Sequence, residues 1–502
     1  MVYRHNYTVT NNYIGCGVFF DNSGKEEHYM KKNIFAILLA TVMCLGVMLM
    51  PAFGAGTGKA IQLVQNGSAP NITGCQASNI YFGNYNQSGV QPVKWRVLAN
   101  KNKQLFVLSD MNLDSKPYNT NMDWITWERT TIRSWLNGYG ASENNGGGVF
   151  GPGEGISYEN DNFINTVFSS GEQAAIAITN VKNDDNPDYD TEGGNDTKDK
   201  IFLLSIAEVH NKEYFKNDND STRVSVNTEY AENNGAYTEE GAGYWWLRSP
   251  GNYEGFAAYV SYDGKVSTHG NDLFYEEYAV RPAFNLNLDY VLFTSAAEGG
   301  KASGTVGPDS LNETKGYSGT DWKMTVKDDS RRGFTASLES ESDNMFTIKY
   351  SGAKTGDNEY ISAVIVNNKG EITYYGKLCT AEAGNDKTAE VNISGKYNDG
   401  DTLYIFNEQA NGNKMTDYAS ELKVIMGTGA ATTIGDVNGD GDITQTDKLI
   451  LSRYLAKWDG YDKKIVNWDA ADINKDKDVT QTDKLILSRY LAKWEGYEQY
   501  FK

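Results

Sequence analysis

The sequence predicts a multidomain chain: an α+β domain first, an all-β sandwich second, and a small all-α module of two loop–helix repeats at the end. Three observations carry this. A length of 502 residues exceeds what one compact core holds. Strand and helix patterns mix between about 58 and 288, whereas 331–427 is nearly pure strand and turn. Finally, "DVNGDGDITQTDKLILSRYLAKW" from Asp436 is written again from Asp472 as "DINKDKDVTQTDKLILSRYLAKW", with four positions changed in 23.

The whole chain narrows the function classes first. A net charge of −20 repels nucleic acid and anionic membranes and suits neutral ligands or soluble complexes. From Met30 the chain reads "MKKNIFAILLATVMCLGVMLMPAFGAG": two lysines, an apolar run, then small residues. That is the layout of a secretory signal peptide, expected over 30–55, with 1–29 an upstream extension from a mis-set start. A membrane anchor is the other reading of so long an apolar run; the small residues at Ala52–Ala55 favour cleavage, leaving no membrane span. Beyond residue 55 only Cys75, Cys379, His210 and His269 remain. Two cysteines make no disulfide framework, and two distant histidines make no zinc site. No nucleophile-elbow pattern accompanies either histidine.

The α+β domain is expected over 58–290. "VKWRVLA" alternates Val93, Trp95, Val97 and Ala99 on one face, as a half-buried strand does. "QLFVLS" and "IFLLS" read as buried strands. "TWERTTIRSWLNG" predicts a helix over 126–138, with Thr126 as N-cap, Gly138 as stop, and Trp127, Ile132, Trp135 and Leu136 on its apolar face. "FAAYVSYDGKVS" predicts a hairpin, Asp263 and Gly264 supplying the positive φ angles. The seven carboxylates of 183–200 have no ligand spacing and read as a solvated loop. Residues 291–330 read as a connection. In 331–427, "MFTIKY", "ISAVIV", "EITYYGK", "AEVNIS", "TLYIF" and "ELKVIM" follow at short intervals, predicting an immunoglobulin-like sandwich whose role is spacing. A linker at 428–434 leads to the repeat over 435–502.

Each repeat copy reads as a calcium loop followed by a helix. Asp436, Asn438, Asp440 and Asp447 hold loop positions one, three, five and twelve, and Asp442 offers its backbone carbonyl at position seven. Asp472, Asn474, Asp476, Asp478 and Asp483 match them in the second copy. A hard divalent cation takes six to eight oxygens, which alternating short carboxylates and amides wrap around one point. Two ions are expected. Without metal the carboxylates repel one another, so binding and folding are coupled. Position six is Gly441 in the first loop but Lys477 in the second, a departure that bears on affinity.

This arrangement resembles a type I dockerin, the C-terminal module by which secreted bacterial proteins attach to a cohesin domain of a scaffoldin in cellulosome- or amylosome-like complexes. The resemblance implies a partner-reading face at loop positions ten and eleven and a polar pair on the following helix: Gln445, Thr446, Ser452 and Arg453, then Gln481, Thr482, Ser488 and Arg489. Their identity in the two copies resembles the dual binding mode of dockerins, in which either copy docks after a half-turn.

The first domain resembles an uncharacterised family of secreted proteins from Gram-positive anaerobes through "WRVL", "TWERTTIRSWLNG", "FLLS", "YWWLRSPG" and "YAVRPAFNLNL". The last two are also distantly similar to C-type-lectin-like and sulfatase-modifying folds. The cysteine chemistry of the latter needs a pair, and Cys75 stands alone in this domain. Trp245, Trp246, Arg248 and Arg281 read as structural, since a Trp pair fills a core and an Arg beside it satisfies carbonyls or a buried carboxylate. A dockerin's companion domain usually acts on plant polysaccharide. The expectation is therefore a non-catalytic, extracellular binding subunit, with Trp124, Trp127, Tyr253 and Tyr275 as candidates to stack on sugar rings. A glycoside hydrolase using two carboxylates is the alternative. A protein-binding adhesion module is the third reading.

Overall fold

The structure, a computed structural model, describes residues 58–120, 124–140, 147–148, 151–152, 157–216, 220–301, 305–427, 434–438, 443–465, 468–476 and 478–501. The expected extension and signal peptide lie outside these residues, as do Asp440, Gly441, Asp442, Lys477 and linker residues 428–433. The protein is multidomain and mostly β, with few helices.

The first part begins with β1 (Ile61–Leu63), β2 (Asn79–Asn86), β3 (Val90–Lys101) and β4 (Gln104–Ser109), of which β2 to β4 form an antiparallel meander. Val93, Trp95 and Val97 of β3 are buried, as their alternation predicts. Trp95 donates its indole N–H to the Phe82 carbonyl at 2.8 Å. After β5 (Asp114–Ser115), the expected helix starts later than its sequence suggests. Trp127–Arg129 is a 3-10 turn whose Thr126 makes no capping bond. Thr130 instead caps α1 (Thr131–Asn137), accepting from the Arg133 amide at 3.3 Å. Gly138 closes α1 at φ 72°, as expected of a glycine C-cap.

Of "IFLLS", only β6 (Ile201–Phe202) pairs as a strand. The carboxylate-rich loop before it is anchored at both ends, Thr179–Val181 pairing with Thr197–Asp199. Its last carboxylate is not solvated. Asp199 is fully buried and accepts from Trp127, Arg133, Tyr139 and Thr197, because two aromatic donors and a guanidinium converge there from the α1 region. Beyond α2 (Glu229–Asn233), the strands β7 (Trp245–Pro250), β8 (Phe256–Val260), β9 (Val266–Asp272) and β10 (Ala279–Val280) make a second sheet in the order β9-β8-β7-β10-β5. At the β8–β9 turn only Gly264 takes a positive φ (85°), and Asp263 does not. The Gly264 amide bonds Ser261 O, so this is a four-residue turn closed by a left-handed glycine. β11 (Ala283–Asn287) then joins β4 and β6 to complete the first sheet.

The Trp and Arg motifs hold this part together from inside. Trp245 and Trp246 are fully buried, with indole N–H groups on Arg223 O and Lys116 O. Arg248 donates to the carbonyls of Lys182 and Leu203 and pairs with Glu208. Arg281, fully buried 4.9 Å over the Trp245 ring, donates to the carbonyls of Ser109, Arg223 and Asp110. Each guanidinium is occupied by backbone acceptors.

The stretch that reads as a connection is structured. It contributes β12 (Val291–Ala296) and β13 (Asp321–Lys327), which pair antiparallel. The other edge of β13 is divided between two neighbours. Residues 321–323 pair with β2, and residues 325–327 pair with β20 (Asp417–Ala419) of the second part. One hydrogen-bonded sheet therefore runs from the first part into the second.

The second part stacks the three strands β14 (Thr335–Ser342), β15 (Met345–Ser351) and β18 (Lys387–Asn392) on β16 (Glu359–Val366), β17 (Ile372–Thr380) and β19 (Thr402–Gln409). Phe346, Ile348 and Tyr350 of β15 meet Ile361, Ala363, Ile365, Leu403 and Ile405 in one core. The opposite face of β16, β17 and β19 packs on Ile61, Leu292 and Phe293 of the first part. Near this junction Asp417 pairs with both Lys301 and Lys323, at 2.9 Å each, and Lys301 also reaches Glu408 at 2.6 Å.

Candidate docking and ligand sites

The C-terminal module is built from α3 (Gln445–Leu455), α4 (Gln481–Leu491) and the loop before each. Its core is Val437, Ile450 and Leu451 from the first copy, with Ile473, Ile486 and Leu487 from the second. The start of the module is tied to its middle, the Gly435 amide bonding Ala470 O just before the second copy. Gly435 sits at φ 95°, and a Cβ there would lie 2.6 Å from the Phe501 ring. Phe501 in turn stacks on Tyr490 at 3.9 Å.

Both helices open with the same capping box. Thr444 and Asp447 exchange bonds at the first N-terminus, and Thr480 and Asp483 at the second. The position-twelve carboxylates also fold back over the loop. Asp447 Oδ1 accepts from the amides of Val437 (2.9 Å) and Asn438 (3.2 Å), while Asp483 Oδ1 accepts from Asn474 (3.1 Å). Asp447 and Asp483 are fully buried. In the second loop Asp472 Oδ1 and Asn474 Oδ1 converge on the Asp476 amide, at 3.1 Å each, and Asp476 Oδ1 accepts from Asp478 N. Among the described residues no three His, Cys, Asp or Glu side chains form a metal-holding cluster. The donor set nonetheless fits a hard cation: all candidate ligands offer oxygen, and position twelve is already turned toward positions one to three.

The candidate partner residues share a helix face. Gln445 and Thr446 are exposed at the start of α3, and Ser452 and Arg453 are half-buried two turns on. Gln445, Leu449 and Arg453 recur at four-residue spacing, which puts them on one side. Leu449 is 45 % exposed and Trp458, just beyond the helix, 56 %. The Arg453 guanidinium lies 4.8 Å over the Trp458 ring and 5.2 Å over Tyr461, whose hydroxyl it also meets. The second copy repeats this arrangement with Leu485 (45 %), Trp494 (56 %) and Arg489 at 5.1 and 5.3 Å from Trp494 and Tyr497. Leu449 and Trp458 were legible as part of the repeat, which runs unchanged through "LAKW".

In the first part the four candidate aromatics separate. Trp127 is only 1 % exposed with its indole on Asp199 at 3.2 Å, so no glycan reaches it; its bulk is used in the core. Trp124 (47 %) and Tyr253 (40 %) are exposed and come from neighbouring loops, joined where Ile125 N bonds Glu254 O. Tyr253 packs on Phe256 at 4.4 Å, Phe256 lies 5.8 Å from His269, and His269 lies 6.0 Å from Tyr189, itself 46 % exposed. Asn186 fixes that loop by donating to the carbonyls of Pro250, Gly251 and Thr268. Tyr275 is 38 % exposed against Phe274. Tyr189 and His269 join this aromatic surface from segments distant in sequence, with no local signal to mark them.

Among the described residues no helix is long and apolar enough to cross a membrane. No curated protein and no solved structure matches the chain. Residues 102–288 match a domain of unknown function, DUF6273. Residues 434–492 match the dockerin type I domain family, whose members bind calcium and dock onto cohesins, and the chain thus carries a cohesin-docking module of cellulosome-like complexes.

Proposed function

We propose that the protein is a secreted, extracellular subunit that docks calcium-dependently onto a cohesin domain of a scaffoldin and carries a polysaccharide-binding domain into the complex. The observation that carries this reading is one exposed face presented twice, with Leu449, Arg453 and Trp458 matched by Leu485, Arg489 and Trp494 in exposure and in stacking distance. Two calcium ions, one per loop, would be held by Asp436, Asn438, Asp440, Asp442 and Asp447, and by Asp472, Asn474, Asp476, Asp478 and Asp483. Calcium supplies the positive charge that lets these carboxylates lie together. Gln445, Thr446, Ser452 and Arg453, or their second-copy equivalents, then meet the cohesin. The glycan reading rests on the exposed cluster of Trp124, Tyr253, Tyr189 and His269. The middle sandwich, read as immunoglobulin-like, spaces the two activities.

The test uses the complete chain. Binding to a panel of immobilised cohesins is measured in calcium and again in EGTA; no binding to any cohesin in calcium would sink the docking reading. Depletion by insoluble starch, cellulose and xylan is recorded together with released reducing sugar. Depletion without sugar release supports the binding subunit, sugar release makes the protein a glycoside hydrolase, and neither leaves a protein-binding adhesion role.

A further inference from the structure

We infer that the first part holds a second ligand site, an open cleft of about 400 Å³ beside α1 and α2 that takes a neutral sugar residue of a soluble oligosaccharide or chain end. This deepens the glycan reading above and rests on it. The volume lies within the range of small-molecule pockets, about 300–1,000 Å³. Every lining residue, from Ser115 to Glu276, falls inside the segment that matches the uncharacterised family.

Aromatic rings line the cleft. Trp135 of α1 is 5 % exposed and backed by Phe163 at 5.5 Å, while Tyr158 and Tyr230 are half-buried. Behind them lies a buried polar layer. Asp114, 1 % exposed, accepts from Tyr85 Oη at 2.6 Å, Asn234 Nδ2 at 2.7 Å and Ser115 N at 2.8 Å. Tyr85 stands edge-on to Tyr230 at 5.6 Å. One buried carboxylate therefore orients both an aromatic wall and an exposed amide. With its N–H₂ held by Asp114, Asn234 offers its carbonyl to a ligand hydroxyl. A buried carboxylate is tolerated only when so fully bonded.

The charges select the ligand class. Asp161 and Glu276 are exposed at the cleft and repel anions. Lys116 holds its ammonium 5.2 Å over the Trp135 ring and repels a second cation from that aromatic face. A neutral polyhydroxyl ligand escapes both repulsions. Its C–H face suits the half-buried Tyr158 and Tyr230 rings, since Lys116 already covers Trp135, and its hydroxyls suit Asn234 and the two carboxylates.

The experiment titrates the complete chain with maltohexaose, cellohexaose and xylohexaose by calorimetry, alongside depletion by the three insoluble polymers. One soluble oligosaccharide is expected to bind saturably, one per chain. Asn234→Ala and Asp161→Asn each weaken it about three- to tenfold, the first by losing a hydrogen bond and the second by losing the charge that strengthens one. Asp161 is exposed, and unchanged thermal unfolding confirms that its variant folds; Asn234→Ala also takes a donor from the buried Asp114, so its binding is read at a temperature where circular dichroism shows it folded. A Trp124→Ala/Tyr253→Ala variant retains the oligosaccharide site. No saturable binding of any of the three, or binding that the Trp124/Tyr253 variant loses while Asn234→Ala and Asp161→Asn keep it, overturns the cleft. Polymer depletion that persists in that result leaves the glycan reading standing; its absence on every polymer removes both.

Discussion

The two proposed docking faces make a quantitative prediction. Take the first face and change its exposed apolar residues, Leu449→Asp with Trp458→Ala, then do the same to the second with Leu485→Asp and Trp494→Ala. None of the four residues is in the module's core, which is formed by Ile450, Leu451, Ile486 and Leu487, so folding is retained. If a cohesin uses either face but only one at a time, the observed association constant is the sum of two equal terms. Disabling one face halves it, a change of about 0.4 kcal/mol from RT ln 2. Disabling both removes every anchor. A large aromatic at an interface centre contributes about 2 kcal/mol or more, so affinity falls at least about 30-fold, and further with a charge placed where Leu449 was. Trp458→Ala also frees Arg453 from the ring 4.8 Å beneath its guanidinium. Calorimetry against a cohesin in millimolar calcium reads all three variants. A fivefold loss in either single-face variant would show that the faces are unequal despite their matched geometry. Less than a tenfold loss in the double-face variant would show that docking uses another surface.

The remaining predictions are more local. EGTA abolishes cohesin binding, and Asp447→Ala lowers the calcium affinity of the first loop while destabilising the module by about 2–4 kcal/mol, since it orphans the Val437, Asn438 and Thr444 amides; urea unfolding in calcium measures this. Trp127→Ala costs about 3–5 kcal/mol in denaturant unfolding, as a buried aromatic does, yet leaves polymer depletion by the folded protein unchanged. Asp417→Asn leaves Lys301 its pair with Glu408 but takes the carboxylate partner from the buried Lys323, and costs about 3–5 kcal/mol. Burial alone would raise the Asp417 pKa, but the two ammonium groups outweigh it and hold the carboxyl below its ordinary value. Its contribution is therefore complete above about pH 4 and disappears as pH falls through the lowered pKa, so the Asn variant shows a flatter acid limb in unfolding against pH.

What was legible in the sequence follows from where the chemistry sits along the chain. The candidate calcium ligands fall within twelve consecutive residues, so spacing alone displays them. Strands with one face toward a core, such as 93–97 and 345–350, announce themselves by alternation, although a register shift after Val97 buries Leu98 in place of the expected Ala99. The aromatic cluster and the cleft are different. Tyr189 and His269, or Trp135 and Asn234, meet only after the chain has folded, and a tryptophan three residues from another gives no sign that Trp124 is outside and Trp127 inside. The helix start was misplaced because Thr126 and Thr130 are chemically alike, and only the 3-10 turn between them decides which one caps. The two strands that read as a connection were hidden for a sharper reason. Val291–Ala296 is buried on both faces, so it shows no alternation, and its buried Thr294 and Ser295 break the apolar run that marks such strands. Asp321–Lys327 does the same with Lys323 and Thr325.

Those two strands decide which piece of the chain can stand alone. A fragment ending at residue 330 keeps β13 but deletes the strand that pairs with its second half, Asp417–Ala419. It also uncovers Ile61, Leu292 and Phe293, which pack on the face formed by Val364, Val366, Tyr404 and Phe406. Re-exposing three large apolar side chains costs about 5–9 kcal/mol at 1.5–3 kcal/mol each, comparable with the whole stability of a typical domain, about 5–15 kcal/mol. Lys323 loses Asp417 as well, leaving a buried ammonium without its carboxylate. Residues 56–330 should accordingly aggregate or stay unfolded by circular dichroism, whereas 56–427 should fold and unfold in one cooperative step. A soluble, cooperatively folded 56–330 fragment would refute the shared sheet as a source of stability. If the longer fragment alone folds, the first part depends on the second for its stability, and the glycan binding proposed for it depends on the second part as well.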